Sequence, residues 1–491
     1  MLLSCPPRRI VHEIPTNDSS ARTELSMRQI TNHMPTAELQ ALDAAHHMHP
    51  FTQNEGLAQK GARIITRANG VMLTDSEGRE IIDGMAGLWC VNIGYGRQEL
   101  ADVAARQMME LPYYNTFFQT SHVPAIALAA RIAELAPGDL NHVFFACSGS
   151  EANDTNIRMV RHYWALKGKP EKSVIIGRKN GYHGSSVGSG SLGGMAAMHA
   201  QGGMPIPGIE HIDQPYWFHE GGDMTPEEFG LARARQLEEK ILELGADRVA
   251  AFIGEPIQGA GGVIIPPSTY WPEIQRICDD YGILLIADEV ITGFGRTGNW
   301  FGSLTMGIRP HIMTIAKGLS SGYMPIGGSV VCDEIAQTIA QDEFNHGYTY
   351  SGHPVAAAVA LENLRIMEEE GVVEHVRDVA NPYLAEQWNA LADHPLVGET
   401  SLVGLMGSLA LAPENGSRAR FAAEAGTAGY IVRERCFANN VIMRHVGDRM
   451  IIAPPLVITP DQIDILMARA TKAMDEGYAQ LKAEGLLKAA R

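Results

Sequence analysis

Six short apolar runs, set apart by helical patterns and turn-rich stretches, constrain the fold of this chain more than any other feature. They lie at 142–146 (HVFFA), 173–176 (SVII), 249–253 (VAAFI), 282–287 (GILLIA), 312–316 (IMTIA) and 328–332 (GSVVC). Near-continuous apolar strands are the mark of a sheet buried on both faces. Helical patterns over 151–167, 225–245 and 269–281 fall between them. Strands alternating with helices predict an α/β protein with a largely parallel sheet.

The chain changes character after residue 355. A long helix is predicted over 354–370 and another over 372–392, then short strands near 402–411. A helix near 419–438, a strand pair within 441–454 and a last helix over 460–488, opened by Pro460, complete the pattern. This reads as a smaller α+β domain at 356–491. Residues 36–90, with short strands at 62–67, 71–74 and 81–84, form its N-terminal part. Residues 91–355 form the large domain. Residues 1–35 read as a disordered extension, with Met27 or Met34 as an alternative start.

At 491 residues the chain is long enough for about two or three domains. Its 39 basic and 56 acidic residues give a net charge of −17, which disfavours nucleic-acid or anionic-membrane binding. No apolar run is long enough to span a bilayer, and the N-terminus makes a poor signal peptide. The six cysteines are scattered without a C-x-x-C pair, which fits a reducing, cytoplasmic setting.

Lys317 ends the apolar run 312–316. Ligands of open α/β sheets bind beyond the carboxyl ends of strands. An isolated lysine there is an ordinary surface residue, but Asp288 ends the run 282–287 in the same way. A lysine amine for a Schiff base and a carboxylate for a pyridinium nitrogen are the two groups that pyridoxal-phosphate chemistry needs. After the first run, Cys147-Ser-Gly-Ser-Glu-Ala-Asn-Asp154 opens a helix. Small residues, hydroxyls and free N–H groups at a helix start suit a phosphate dianion, although Ser148-x-x-Glu151 is equally a capping box. Gly293-Phe-Gly-Arg-Thr-Gly298 matches the dinucleotide fingerprint in letters alone. No convincing helix follows it, and the position about 20 residues on is Gly318, not an acid.

Together, SGSEAND (148–154), NGYHGSS (180–186), EPIQGAGG (255–262), ADEVITGFGRTG (287–298), AKGLSSGYMPIGG (316–328) and YTYSGHP (348–354) resemble the class III aminotransferases of pyridoxal-phosphate fold type I. Their order and spacing cover the chain from about residue 45 to 480. The stretches 84–97, 111–120, 159–170 and 213–218 are similar to the bacterial putrescine/spermidine–pyruvate group. The resemblance implies a seven-stranded, mostly parallel sheet in the large domain, pyridoxal 5'-phosphate as cofactor, and a homodimer or dimer of dimers with shared active sites.

It also implies roles. Lys317 would form the internal aldimine and shuttle the proton, and Asp288 would bind the pyridine nitrogen. Val290 and Tyr182, beside His183, would flank the ring. Ser148, Gly149 and Ser150 would hold the phosphate. Thr349 would reach the neighbouring subunit's phosphate. Glu255 and Gln258 would lie on the cofactor hydroxyl side. Trp89 and Phe117, with Tyr182, would line the substrate pocket. Arg444 would grip a substrate carboxylate and swing aside for an amine, with Arg449 as the competing candidate. Two departures from the family pattern are Cys147, where relatives carry a smaller or threonine-like residue, and Tyr348 in place of phenylalanine. Tyr216 and Trp217 read as packing, and His46, His47 and His49 as loop residues with no metal.

The expected reaction moves an amino group from a primary amine, such as putrescine or spermidine, to pyruvate. The alternatives are an ω-amino-acid transaminase acting on β-alanine or 4-aminobutyrate, another pyridoxal-phosphate reaction on the same fold, or a non-catalytic binding protein.

Overall fold

A computed structural model of the chain describes residues 34–490. The predicted N-terminal extension, apart from residues 34 and 35, lies outside the described residues, as does Met27. The chain splits into two compact units. One runs up to Thr66 and includes Asp75–Gly78; the other holds Arg67–Thr74 and Arg79 onward.

The larger unit is built on a seven-stranded sheet. In chain order its strands are β1 (Leu140–Ala146), β2 (Val174–Arg178), β3 (Ile209–Ile212), β4 (Val249–Gly254), β5 (Leu284–Asp288), β6 (Ile312–Ile315) and β7 (Gly327–Cys332). Their order across the sheet is β1-β7-β6-β5-β4-β2-β3. Every neighbouring pair is parallel except those of β7, which runs antiparallel to both β1 and β6. β2, β4, β5, β6 and β7 are buried along their whole length. This is why their sequences read as unbroken apolar runs rather than as alternation.

Most predicted elements are present with ends shifted by a few residues, but the helix expected near 419–438 starts only at Thr427, the one expected over 372–392 is interrupted by a π-helical turn at Val376–Ala380, and β3 is an addition. Its sequence, Ile-Glu-His-Ile, is short and half polar because it is an edge strand with only its terminal isoleucines buried.

Two of the long helices carry caps that set where they begin. Thr225 makes a full capping box with Glu228 at the start of Pro226–Leu244. Thr459 does the same with Gln462 ahead of Pro460–Ala483, where proline sits in the first turn.

In the C-terminal part, Val397–Val403, Met406–Leu411, Arg449–Ile452 and Arg444–Val446 form a four-stranded antiparallel sheet in that order. Its pairing puts both hairpin arginines on one face of the sheet. Arg449 is opposite Val446, and Arg444 is opposite Ile451.

Candidate active site

β5 and β6 are neighbours in the sheet, paired in parallel from Ile286–Ile312 to Asp288–Thr314. Asp288 is therefore the last residue of its strand, and Lys317 stands just past the end of the next. The backbone at Lys317 is left-handed, with φ 45°. Non-glycine residues adopt that region rarely, and functional sites are where such strain collects. The following Gly318 allows a close approach, since a Cβ there would meet the Asn92 side chain at 2.4 Å.

Burial pushes the Lys317 amine below the ordinary lysine range. The charges of Asp288 and Glu255 partly oppose that shift, and Arg444 adds to it. A buried amine that loses its proton more readily is a better nucleophile and base.

Asp288 is buried at the centre of a polar network. Its Oδ2 accepts from Asn153 Nδ2 at 2.8 Å and pairs with His183 Nδ1 at 2.7 Å. Its Oδ1 accepts from the Val290 N–H at 3.1 Å. Behind Asn153 the network continues: Thr314 Oγ1 donates to Asn153 Oδ1 at 2.8 Å, Asn156 Nδ2 donates to Thr314 Oγ1 at 2.8 Å, and Ser329 Oγ donates to Asn156 Oδ1 at 2.6 Å. With Thr314 occupying its Oδ1, Asn153 turns its amide N–H toward Asp288. Three polar partners around the buried carboxylate fix its direction.

Asn153, Asn156, Thr314 and Ser329 were missed in sequence. The available signal was two asparagines three residues apart inside a helix, where asparagine is a poor former and i, i+3 residues share a face.

The neighbouring acid, Glu289, does something else. It is fully buried and accepts from the Gly302 and Ser303 N–H groups and from the hydroxyls of Ser303 and Thr292. It ties down the loop after β5. Within that loop, 293–298 folds as turns rather than as the start of a helix. The buried Arg296 donates to the carbonyls of Leu405 and Pro454 and to Asn92 Oδ1. The GxGxxG letters therefore serve packing.

Ser148 caps the helix Gly149–Leu166, its Oγ accepting from the Glu151 N–H at 3.2 Å. Glu151 reaches back one residue further than a standard capping box, to the Cys147 N–H at 2.7 Å. The first-turn N–H groups of Gly149 and Ser150 have no partner within a helix and point out of its start. Gly149 packs against Val290, where a Cβ would lie 2.9 Å from Val290 Cγ2. Ser150 Oγ accepts from the Ser185 N–H at 3.1 Å. Burial and Glu151 push the Cys147 thiol up to about 11, so it stays protonated. The Tyr348 hydroxyl donates to the Glu151 carbonyl at 3.0 Å, bracing the same helix start.

Glu255 is buried, accepting from the Tyr182 N–H at 3.0 Å and the Gly259 N–H at 2.7 Å. Burial raises its pKa. Gln258 is fully buried with Nε2 bonded to the Lys179 carbonyl, while its Oε1 has no partner. His183 Nε2 is likewise buried and unpartnered.

Lys317, Asp288, Glu255, Tyr182, His183, Val290, Gly149 and Arg444 thus form one connected cluster. Trp89 packs among Met85, Ile257, Val263 and Ile291, with φ 64° and an unpartnered indole N–H. Phe117 lies against Gly347. Thr349 is exposed, its carbonyl accepting from the Tyr113 hydroxyl at 2.7 Å.

The two hairpin arginines differ sharply. Arg449 is buried and committed: its guanidinium reaches the Gly262 carbonyl, Glu399 Oε2, Ser408 Oγ and the Tyr216 hydroxyl. Tyr216 also stacks beneath it at 4.6 Å. Trp217 bonds the Met224 carbonyl and lies under Arg418, so both aromatics pack. Arg444 is half-buried, and its main electrostatic partner is Tyr182. Burial lowers its pKa.

The class III aminotransferase family model matches residues 56–474, and the chain belongs to that family. Class III aminotransferases depend on pyridoxal phosphate. Among relatives, the chain is 61% identical over 456 residues to the putrescine–pyruvate aminotransferase of Pseudomonas aeruginosa, covering 93% of this chain and 99% of that protein. It is 41% identical over 458 residues to the diaminobutyrate–2-oxoglutarate transaminase of Halomonas elongata, covering 91% and 96%. Two solved structures are similar. An (S)-enantioselective ω-transaminase from Thermomicrobium roseum matches with TM-score 0.87 and 44% identity over 90% of this chain and 99% of that one. The ω-transaminase of Pseudomonas jessenii in complex with PMP matches with TM-score 0.88 and 41% identity, over 90% and 99%.

Proposed function

We propose that this chain is a pyridoxal-phosphate transaminase that takes the amino group of a diamine or polyamine, such as putrescine or spermidine, and delivers it to pyruvate. The products are an amino-aldehyde and alanine. The carrying observation is the pair Lys317 and Asp288 on adjacent strand ends, with their supporting donors. The 61% identity to a putrescine–pyruvate aminotransferase supports the choice of substrates.

The residues present fit the cofactor. An amine, a fixed carboxylate, an open helix start and the unpartnered Gln258 Oε1 match an aldehyde, a ring nitrogen, a phosphate and a ring hydroxyl in turn. What pyridoxal phosphate supplies when bound is an aldehyde carbon and an electron-accepting ring.

The protein does the rest. Asp288 would hold its carboxylate against the ring nitrogen. Val290 and Tyr182 would bound the two faces. Gly149 and Ser150 offer N–H groups, and Ser148 a hydroxyl, to the phosphate. Lys317 Nζ, neutral more readily because it is buried, takes the proton from the carbon bearing the donor's amine and returns one when the amino group is passed on. Arg444 grips the carboxylate of pyruvate as a fork and moves away when a carboxylate-free amine enters.

We also assign residues 91–355 to a cofactor-binding domain and 356–491 to a smaller one; all seven strands of the main sheet fall in the first range. The site is proposed to be completed in a homodimer or dimer of dimers, with Thr349 serving the neighbouring subunit. Exposed Phe118, Val123, Ile126 and Tyr350 support a self-association face of this kind. Among the described residues no helix is long and apolar enough to cross a membrane, and we place the enzyme in the cytoplasm.

The test is alanine formation from pyruvate with a panel of putrescine, spermidine, β-alanine, 1-phenylethylamine and 4-aminobutyrate. Turnover led by putrescine or spermidine supports the polyamine reading. Turnover only with β-alanine or 4-aminobutyrate moves the enzyme to ω-amino acids. No alanine from any donor contradicts pyruvate as acceptor.

A further inference from the structure

Among the described residues, one group of metal-ligating side chains lies outside the site above: Asp43, His47 and His49. Its geometry follows from one helix end. The helix Thr36–His46 is capped at its C-terminus by His47, which places Asp43 and His47 four residues apart on one face. The chain then turns, and His49 comes back to the same carboxylate. His47 Nδ1 lies 3.0 Å from Asp43 Oδ1. His49 Nε2 lies 3.0 Å from Asp43 Oδ1 and 2.9 Å from Oδ2. The ligand atoms of all three residues fall within 4.8 Å of one another. Asn54 Oδ1 accepts the His49 N–H at 2.9 Å and pins the returning loop. A small cavity of about 30 Å³, lined by Gln40, Asp43, His47, His49 and Asn54 among others, adjoins them.

We propose that Asp43, His47 and His49 form a binding site for a single divalent transition-metal ion of the zinc class, with water completing its shell. Two imidazole nitrogens and one carboxylate oxygen are the donors such an ion takes. Bonds of about 2.0–2.2 Å in a tetrahedral arrangement put neighbouring ligand atoms roughly 3.3 Å apart. The two imidazole–carboxylate spacings, 2.9 and 3.0 Å, are already close to that, and the two imidazole ligand nitrogens lie within 4.8 Å of each other.

Proton balance is also simple. An imidazole whose N–H points at Asp43 can bind the ion once that proton sits on its other ring nitrogen. Moving that proton to the other ring nitrogen frees a lone pair for the metal without changing net protonation. His47, with 61% of its side chain exposed, can turn its new N–H to water. By sequence alone His46, His47 and His49 read as loop residues with no metal; the structure instead ends a helix at His46, and that helix end and the returning loop bring Asp43 to His47 and His49. The site stands apart from the transaminase reading and requires nothing from it.

The experiment uses tag-free, cofactor-loaded protein, treated with chelator and then dialysed against micromolar zinc or cobalt(II). Bound metal is counted per chain by elemental analysis, and cobalt gives a visible absorption spectrum that reports its ligands. On the order of one ion per chain is expected, with a cobalt spectrum of a low-coordinate nitrogen and oxygen site. His49→Ala and Asp43→Asn should each lower affinity by at least about tenfold, while His46→Ala, outside the cluster, should keep it. Circular dichroism and thermal unfolding should be unchanged in all three variants, which shows that they are folded. Wild-type protein that retains no metal overturns the proposal. So does metal that stays bound in both His49→Ala and Asp43→Asn.

Discussion

Replacing Arg444 by alanine should separate the two halves of the reaction. Arg444 faces Tyr182 and is half-buried, with no ion pair among the described residues. Its guanidinium is therefore free to meet a substrate carboxylate. A charge-assisted hydrogen bond of this kind contributes about 1.5–3 kcal/mol. At about 1.4 kcal/mol per tenfold, its loss should slow the pyruvate half-reaction roughly ten- to a hundredfold in kcat/KM. Putrescine carries no carboxylate, so its half-reaction should change less than about twofold. The assay is rapid mixing of each substrate with the matching cofactor form, read by absorbance.

Arg449 supplies the contrast. It holds Glu399, Ser408, Tyr216 and the Gly262 carbonyl. Arg449→Ala should instead lower stability, by about 3 kcal/mol, because it strands a half-buried Glu399 and breaks the surrounding network. If Arg444→Ala slows both half-reactions equally, or leaves pyruvate untouched while Arg449→Ala abolishes its use, the assignment is wrong.

Other consequences follow from the same geometry. Asn153→Ala removes one of the three partners of Asp288 and leaves the Thr314 hydroxyl without its acceptor, so cofactor affinity and kcat/KM should fall about ten- to a hundredfold. Equilibrium dialysis with the cofactor checks this, and unchanged affinity would show the network to be scaffolding only. Lys317→Met should stabilise the cofactor-free protein near neutral pH. Burial lowers the native pKa of Lys317 below its unfolded value, so the native state binds fewer protons between the two values. Wild-type stability therefore rises with pH through that window, and the advantage of the methionine variant should shrink toward pH 10; urea unfolding at several pH values would detect a constant gap instead. Thr349→Ala should weaken cofactor binding, and in mixed dimers with Lys317→Ala it should impair the neighbouring subunit's site rather than its own.

The parts legible in the sequence were those set by local pattern. Apolar runs betrayed the buried strands, and strand ends exposed Lys317 and Asp288. The turn residues of 147–154 marked a helix start suited to phosphate. What stayed hidden depended on partners distant in the chain. The antiparallel direction of β7 leaves no mark on Gly-Gly-Ser-Val-Val-Cys, because a strand buried on both faces looks the same either way. β3 lacked an apolar run because it lies at the sheet edge. Arg444 and Arg449 are near neighbours on one face of a hairpin, and only the distant partners of Arg449, Tyr216, Gly262, Glu399 and Ser408, commit it while leaving Arg444 available. Asn153 became meaningful once β5, β6 and β7 brought Asp288, Thr314 and Ser329 around its helix.

Borohydride reduction of cofactor-loaded protein, followed by peptide mass mapping, asks directly which residue carries the cofactor. A single phosphopyridoxyl mark on Lys317, abolished together with alanine formation in Lys317→Ala, is the expected result. A mark on another lysine, or alanine formation that survives the substitution, would contradict the site described here.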